Sequence, residues 1–138
     1  MNLDNFMQMV GQEKYVFLEV FGENCPHCKK LMPEINKVYH HYMGVHAPRR
    51  DIMVARMNGT KNPYLCDQLE IKDYPTLVLF RPRDYKFPVF FKFKSDFPTI
   101  KEFLDTMPLY DRRTGYSHMF KSPSYRPFGL QKAKSLAP

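Results

Sequence analysis

The chain has 138 residues, 43% of them apolar and 25% charged, with a formal net charge of +7. That is one domain's length, enough for a genuine hydrophobic core, and no run of 18 apolar residues exists to form a membrane-spanning helix. Three cysteines are too few for a disulfide scaffold and suit one redox pair plus a spare.

Residues 3–12 put Leu3, Phe6, Met7 and Val10 at helical spacing, with Asp4 near the start, and predict a short amphipathic helix that Gly11 interrupts. Tyr15–Phe21 (YVFLEVF) is a near-continuous apolar run and predicts a central strand covered on both faces. Glu19 is the odd residue there, because a carboxylate buried without a partner is costly or is driven neutral.

Cys25-Pro26-His27-Cys28 comes next, two thiols three positions apart with Pro at the first helical position. The pair makes a disulfide that can open and close. At a helix start, free N–H groups and the macrodipole favour the Cys25 thiolate, the nucleophile of disulfide exchange. Cys28, one turn in, can resolve a mixed disulfide, and His27 adds positive charge when protonated. The same spacing is half of a zinc site, an alternative that stays open here although no second such pair exists and only Cys66 is left over.

From Pro26 the apolar positions 28, 31, 32, 35, 38, 39 and 42 predict a helix to Met43, stopped by Gly44 and kinked at Pro33. Asp51–Met57 predicts a second strand, and Asn58-Gly59-Thr60 turns out of it. A helix runs from Asn62-Pro63 to about Glu70, followed by strands at Thr76–Phe80 and Val89–Phe93 joined as a hairpin. A last helix spans Pro98–Met107. The order α-β-α-β-α-β-β-α predicts a three-layer α/β sandwich over residues 1–107.

Residues 108–138 hold four prolines, scattered aromatics and six basic residues (Arg112, Arg113, Lys121, Arg126, Lys132, Lys134) against one acid, Asp111. They read as a mostly disordered basic tail, suited to an acidic partner and without a nucleic-acid-binding motif. Cys66 reads as a buried, inert thiol, and His40, His41 and His46 as a helix end and loop rather than a metal cluster. Most methionines read as core filling. Met1–Phe6 has neither a basic nor an apolar signal region, and Ser135-Leu136-Ala137-Pro138 is no retention address, which favours a cytoplasmic location.

Four separated features resemble thioredoxin-fold domains of the protein disulfide isomerase type, over residues 3–107. Glu19 precedes Cys25 by six, the spacing of that family's buried acid. Cys25-Pro26-His27-Cys28-Lys29-Lys30-Leu31-Met32-Pro33-Glu34 is similar to Cys-Gly-His-Cys-Lys-Lys-Leu-Ala-Pro-Glu. Val54-Ala55-Arg56-Met57-Asn58-Gly59-Thr60 is similar to Leu-Ala-Lys-Val-Asp-Ala-Thr, and Asp73-Tyr74-Pro75-Thr76-Leu77 to Gly-Tyr-Pro-Thr-Leu, whose proline is cis.

The resemblance implies a central mixed β-sheet sandwiched by helices, here lacking the first edge strand, as a trimmed fold or one piece of a longer precursor. It implies a thiol–disulfide oxidoreductase that forms, reduces or exchanges protein disulfides, with protein thiols as substrates, a separate partner to recharge it and no cofactor or metal. Cys25 and Cys28 are the implied redox pair; Glu19, held by Arg56, moves the Cys28 proton; Tyr74 and Pro75, with Pro26 nearby, shape the substrate site. It also implies an ER-type oxidising compartment. Cys-Pro-His-Cys is shared with a strongly oxidising bacterial dithiol oxidant, which predicts a potential in the oxidising half of a roughly 150 mV range, about 7 kcal/mol wide. Asn24 replaces the family's usual Trp, and Lys94-Ser95 its Gly-Arg, which favours simple oxidation or reduction over isomerase cycling. The rival readings are a cytosolic thioredoxin-like reductase and a non-catalytic module holding zinc or a permanent disulfide.

Overall fold

The structure, a computed structural model, describes residues 2–106 together with the backbone of 110–111 and 115–116. Helix α1 (Leu3–Met9) opens on a reciprocal cap, in which the Asn5 N–H donates to Asn2 Oδ1 at 3.0 Å and the Asn2 N–H to Asn5 Oδ1 at 3.4 Å. It ends earlier than its apolar spacing predicts, because Val10 leaves the helical region and Gly11 turns at φ +82°.

Strand β1 (Tyr15–Phe21) is the centre of the sheet. Helix α2 (Pro26–Met43) follows and runs unbroken through Pro33 to Gly44. Strand β2 (Ile52–Asn58) lies parallel to β1, in the register Tyr15↔Ile52 to Phe21↔Asn58. Helix α3 (Pro63–Gln68) is shorter than predicted, since Glu70 adopts φ +58° and the Ile71 N–H closes back onto the Cys66 carbonyl at 2.8 Å. Strands β3 (Thr76–Phe80) and β4 (Val89–Phe91) complete an antiparallel hairpin, with β3 on the free side of β1. The sheet order is β2-β1-β3-β4, a mixed sheet as expected, with β2 at one edge among the described residues.

Helix α4 (Phe97–Thr106) begins where the Asp96 carboxylate accepts the Thr99 N–H at 2.9 Å. Two-residue strands β5 (Tyr110–Asp111) and β6 (Gly115–Tyr116) pair antiparallel inside the segment expected to be disordered. The rest of the basic tail, with its aromatic residues, lies outside the described residues.

Alternation along β1 divides the core into two layers. Tyr15 and Phe17 face Leu31, Ile35 and Val38 of α2 and Ile100, Phe103 and Leu104 of α4. Val16, Leu18 and Val20 face Phe6 and Val10 beyond α1's start and Leu65 and Cys66 of α3. Each such side chain taken from water stabilises the fold by roughly 1.5–3 kcal/mol before entropy is counted. Three methionines do not fill the core: Met7, Met32 and Met43 are exposed, as is Tyr39. An α2 stripe through Leu31, Ile35, Val38 and Tyr42 already faces the sheet, so the stripe one residue over faces water.

Candidate active site at the start of helix α2

β1 ends at Phe21, and the chain must turn at once to bring α2 back over the sheet. Asn24 makes that turn at φ +54°, a left-handed conformation that asparagine tolerates better than most residues. Cys25 is then the N-cap of α2, and its Sγ accepts the Cys28 N–H at 3.2 Å. Pro26 occupies the first helical position, where no N–H is needed. Cys25 and Cys28 form a disulfide with Cα atoms 5.3 Å apart. Cys25 is half-buried, Cys28 buried, and Pro26, His27, Lys29 and Lys30 are exposed. The pair thus presents one accessible sulfur and one sheltered sulfur.

Glu19 lies two residues before the end of β1, on the face that α2 covers. It is 1% exposed, and its register partner on β2 is Arg56. The Arg56 Nε–H donates to Glu19 Oε1 at 2.6 Å, while Oε2 is buried with no hydrogen-bond partner among the described residues. Burial pushes the Glu19 carboxyl above the usual carboxylate range, and the Arg56 hydrogen bond and charge only partly oppose this. The Arg56 side chain is 40% exposed and lies over the Phe21 ring at 4.5 Å from its centroid, so its charge keeps contact with water.

The Tyr74–Pro75 peptide bond is cis. The Tyr74 ring meets both the loop before Cys25 and the turn after β2: a Cβ on Gly22 would fall 2.5 Å from Tyr74 Cδ2, and one on Gly59 would fall 2.4 Å from Cε1. Beyond the ring lies Cys66, buried as predicted, whose Sγ is 3.9 Å from the Tyr74 hydroxyl and whose thiol donates to the Gly59 carbonyl at 3.6 Å. Burial, with the neighbouring Cys66, pushes the Tyr74 phenol up. The two loops are also tied directly, the Glu23 N–H donating to Thr60 Oγ1 at 3.1 Å and Asn58 Nδ2 to Glu23 Oε1 at 3.3 Å.

The structure therefore brings the disulfide, the Glu19–Arg56 pair and the Tyr74–Pro75 turn to the end of the sheet where β1 and β2 finish. His40 and His41 sit in the last turn of α2, at least a dozen residues and about 18 Å or more along the helix from the thiols. Among the described residues no three His, Cys, Asp or Glu side chains converge as a metal site, and no helix is long and apolar enough to cross a membrane. Periodicity marks neither Gly22 nor Gly59 as lying against the Tyr74 ring. The aromatic ring before Pro75, which needs somewhere to lie, was the available signal.

A family model described as Thioredoxin matches residues 1–103. Over 79 residues the chain is 33% identical to a protein disulfide-isomerase of Drosophila melanogaster, and over 88 residues 33% identical to protein disulfide-isomerase A4 of Mus musculus. Those matches cover 57% and 62% of this chain but only 15% and 13% of the relatives' lengths. Among solved structures, the J-Trx1 fragment of ERdj5 superposes with a TM-score of 0.66 at 18% identity, covering 76% of this chain and 47% of that one. The first thioredoxin domain of mouse protein disulfide-isomerase A4 superposes with a TM-score of 0.64 at 21% identity, covering 92% and 77%. At those identities the structures speak for the fold alone, which is the thioredoxin fold.

Proposed function

Because the chain belongs to the thioredoxin family, we propose that it is a thiol–disulfide oxidoreductase of the protein disulfide isomerase type, acting on protein thiols through Cys25 and Cys28. The observation that carries this reading is the Cys25 sulfur at the N-terminus of α2, bonded to Cys28 and accepting its backbone N–H. When the disulfide opens, that N–H and the helix dipole remain to stabilise a Cys25 thiolate.

In the oxidising direction a substrate thiolate attacks Cys25 Sγ, a mixed disulfide forms, and Cys28 leaves as thiolate and takes a proton. A second substrate thiolate then attacks the substrate sulfur of the mixed disulfide and expels the Cys25 thiolate. The substrate loses two electrons and the pair gains them. Reduction runs the same steps backwards, with Cys28 resolving the mixed disulfide. Glu19 fits the role of proton carrier for Cys28: its raised pKa lets it hold a proton closer to neutral pH than an ordinary carboxyl does. Arg56 holds the Glu19 carboxylate in place. Tyr74 and Pro75 shape the surface offered to substrate, beside exposed Pro26 and His27. A further redox protein must restore the pair after each turnover. Residues 1–107 form the exchanging unit in this reading, and the basic segment 108–138 is an appendage fitted to an acidic partner surface.

A dithiothreitol and glutathione titration, read by gel shift after alkylation, tests the reading. A midpoint in the oxidising half of the roughly 150 mV spanned by such proteins is expected. A midpoint near that of thioredoxin assigns the chain to reduction instead. Zinc released on thiol blocking, with no exchange activity, would falsify the oxidoreductase reading.

A further inference from the structure

Strand β2 gives one side to β1 and the other to no strand among the described residues. The Asp51 carbonyl accepts the Tyr15 N–H at 2.7 Å, and the Gly59 N–H donates to the Phe21 carbonyl at 2.7 Å. The odd-numbered residues of β2 therefore turn their backbone groups to β1, and Ile52, Val54 and Arg56 turn theirs outward. The Val54 N–H finds only a weak acceptor there, the Met43 Sδ at 3.4 Å. Met43 belongs to the exposed stripe of α2, with Met32 and Tyr39. At about 100° per residue, that stripe lies about 80° around the helix from Leu31, Ile35, Val38 and Tyr42. Glu34 and His41 lie on the opposite flank, and α4 covers them. The Phe97 N–H donates to Glu34 Oε1 at 2.9 Å, and the Phe97 ring meets His41 edge-on at 5.6 Å. The edge of β2 and the apolar flank of the helix above it thus form one open corner, joined at Met43.

Charge selects what can fill it. Lys29 and His40 border the stripe on its solvent side, and Arg50 stands exposed just ahead of β2. The acids at the two ends of the strand already sit with cations, Asp51 with Arg49 at 2.7 Å and Glu23 with Lys61 at 3.9 Å. A second copy of the chain would set two cationic borders side by side, and residues 108–138 bring six basic residues against one acid. We propose that this corner docks an extended acidic segment of a partner protein. The segment adds to the outer edge of β2, next to the four strands already paired, and lays alternate apolar side chains under Met32, Tyr39 and Met43. An incoming carbonyl replaces the Met43 sulfur on the Val54 N–H, a better acceptor for a poorer one. The flexible thioether then packs on the new strand. Backbone pairing supplies affinity, and alternation of side chains supplies specificity. The surface uses neither thiol and does not rest on the oxidoreductase reading.

The probe is a fluorescein-labelled heptapeptide alternating valine with glutamate, titrated with the full chain and read by fluorescence anisotropy. It should bind saturably, and its valine–lysine counterpart at least about tenfold more weakly. N-methylation of one alternate set of peptide amides should abolish binding and methylation of the other set should spare it, since one set alone faces the β2 edge. Val54→Pro keeps the ladder to β1, because the lost N–H points outward, and should weaken binding about tenfold or more. Tyr39→Glu, on the exposed stripe, should weaken it too, with near-UV circular dichroism reporting that each variant is folded. If Val54→Pro does not fold, Tyr39→Glu decides the matter, and full binding by it overturns the proposal. No binding of the glutamate peptide, or equal binding of the two methylated forms, also overturns it. Lysine peptide binding as tightly as the glutamate peptide assigns the edge to a basic strand such as residues 108–138, and overturns it as well. A dimer in sedimentation that Tyr39→Glu or Val54→Pro dissociates puts a second copy on the edge instead.

Discussion

Glu19 and Arg56 face each other across the parallel β1–β2 ladder at 2.6 Å, yet the guanidinium satisfies Oε1 and leaves Oε2 buried without a hydrogen bond among the described residues. A fully paired structural ion pair would engage both oxygens. This one leaves an acceptor free on the face covered by α2, the helix whose first turn carries Cys28.

The raised Glu19 pKa has a definite consequence for stability. Between the ordinary carboxyl pKa and the folded value, the native state binds more protons than the unfolded chain, so stability falls as pH rises through that window. The contribution is fully present below about pH 4.5 and lost above the folded pKa. Glu19→Gln should therefore be more stable than the parent at pH 7, on the order of 1 kcal/mol, with the gap narrowing toward pH 4. Urea midpoints of both proteins across that range check this, and parallel curves would exclude it.

Removing the other partner acts in the opposite sense. Arg56→Met strands a buried carboxylate and should destabilise the fold by about 2 kcal/mol at pH 7, below the full cost of breaking a buried pair because Glu19 can take up a proton. Combining it with Glu19→Gln should recover most of the loss, measured as a double-mutant cycle.

A thiolate favoured by a helix start alkylates quickly. After reduction, Cys25 should react with iodoacetamide at pH 7 about tenfold faster than free cysteine, its larger thiolate fraction outweighing its lower intrinsic nucleophilicity. Cys28, buried one turn further in, should lag behind it. Mass spectrometry of partially alkylated protein gives the order directly. Cys28→Ser should accumulate a mixed disulfide with substrate, and Cys25→Ser should form none.

Away from the thiols, the Tyr42 hydroxyl joins α2 to α4, donating to Asp105 Oδ1 at 2.7 Å with the Lys101 carbonyl at 3.3 Å. Burial, reinforced by Asp105, pushes its phenol far above the ordinary tyrosine range. Tyr42→Phe should cost about 1–2 kcal/mol in unfolding free energy and leave dithiothreitol exchange unchanged. Chemical denaturation and a thiol assay on the same preparation separate the two effects.

β1 and β3 were legible at their observed ends because β-branched and aromatic runs bounded by Gly and Pro admit few other conformations. Pro26 and Gly44 marked α2 for the same local reasons. What local pattern could not decide was which of two adjacent stripes on α2 would turn inward, Leu31, Ile35, Val38 and Tyr42 or Met32, Tyr39 and Met43. The sheet selects between them, and the sheet is assembled from distant strands. Glu19 and Arg56 were recognisable as partners only through resemblance, since their opposition depends on a register set over 37 residues of chain. Gly59 reads in the sequence only as part of the turn out of β2, and its closeness to the Tyr74 ring is set by the tertiary fold.

The Tyr74 ring also ties together parts of the protein that the gene keeps apart. Residues 22, 59 and 74 come from three separate loops yet share one volume, so a change of size at any one of them is felt at the other two.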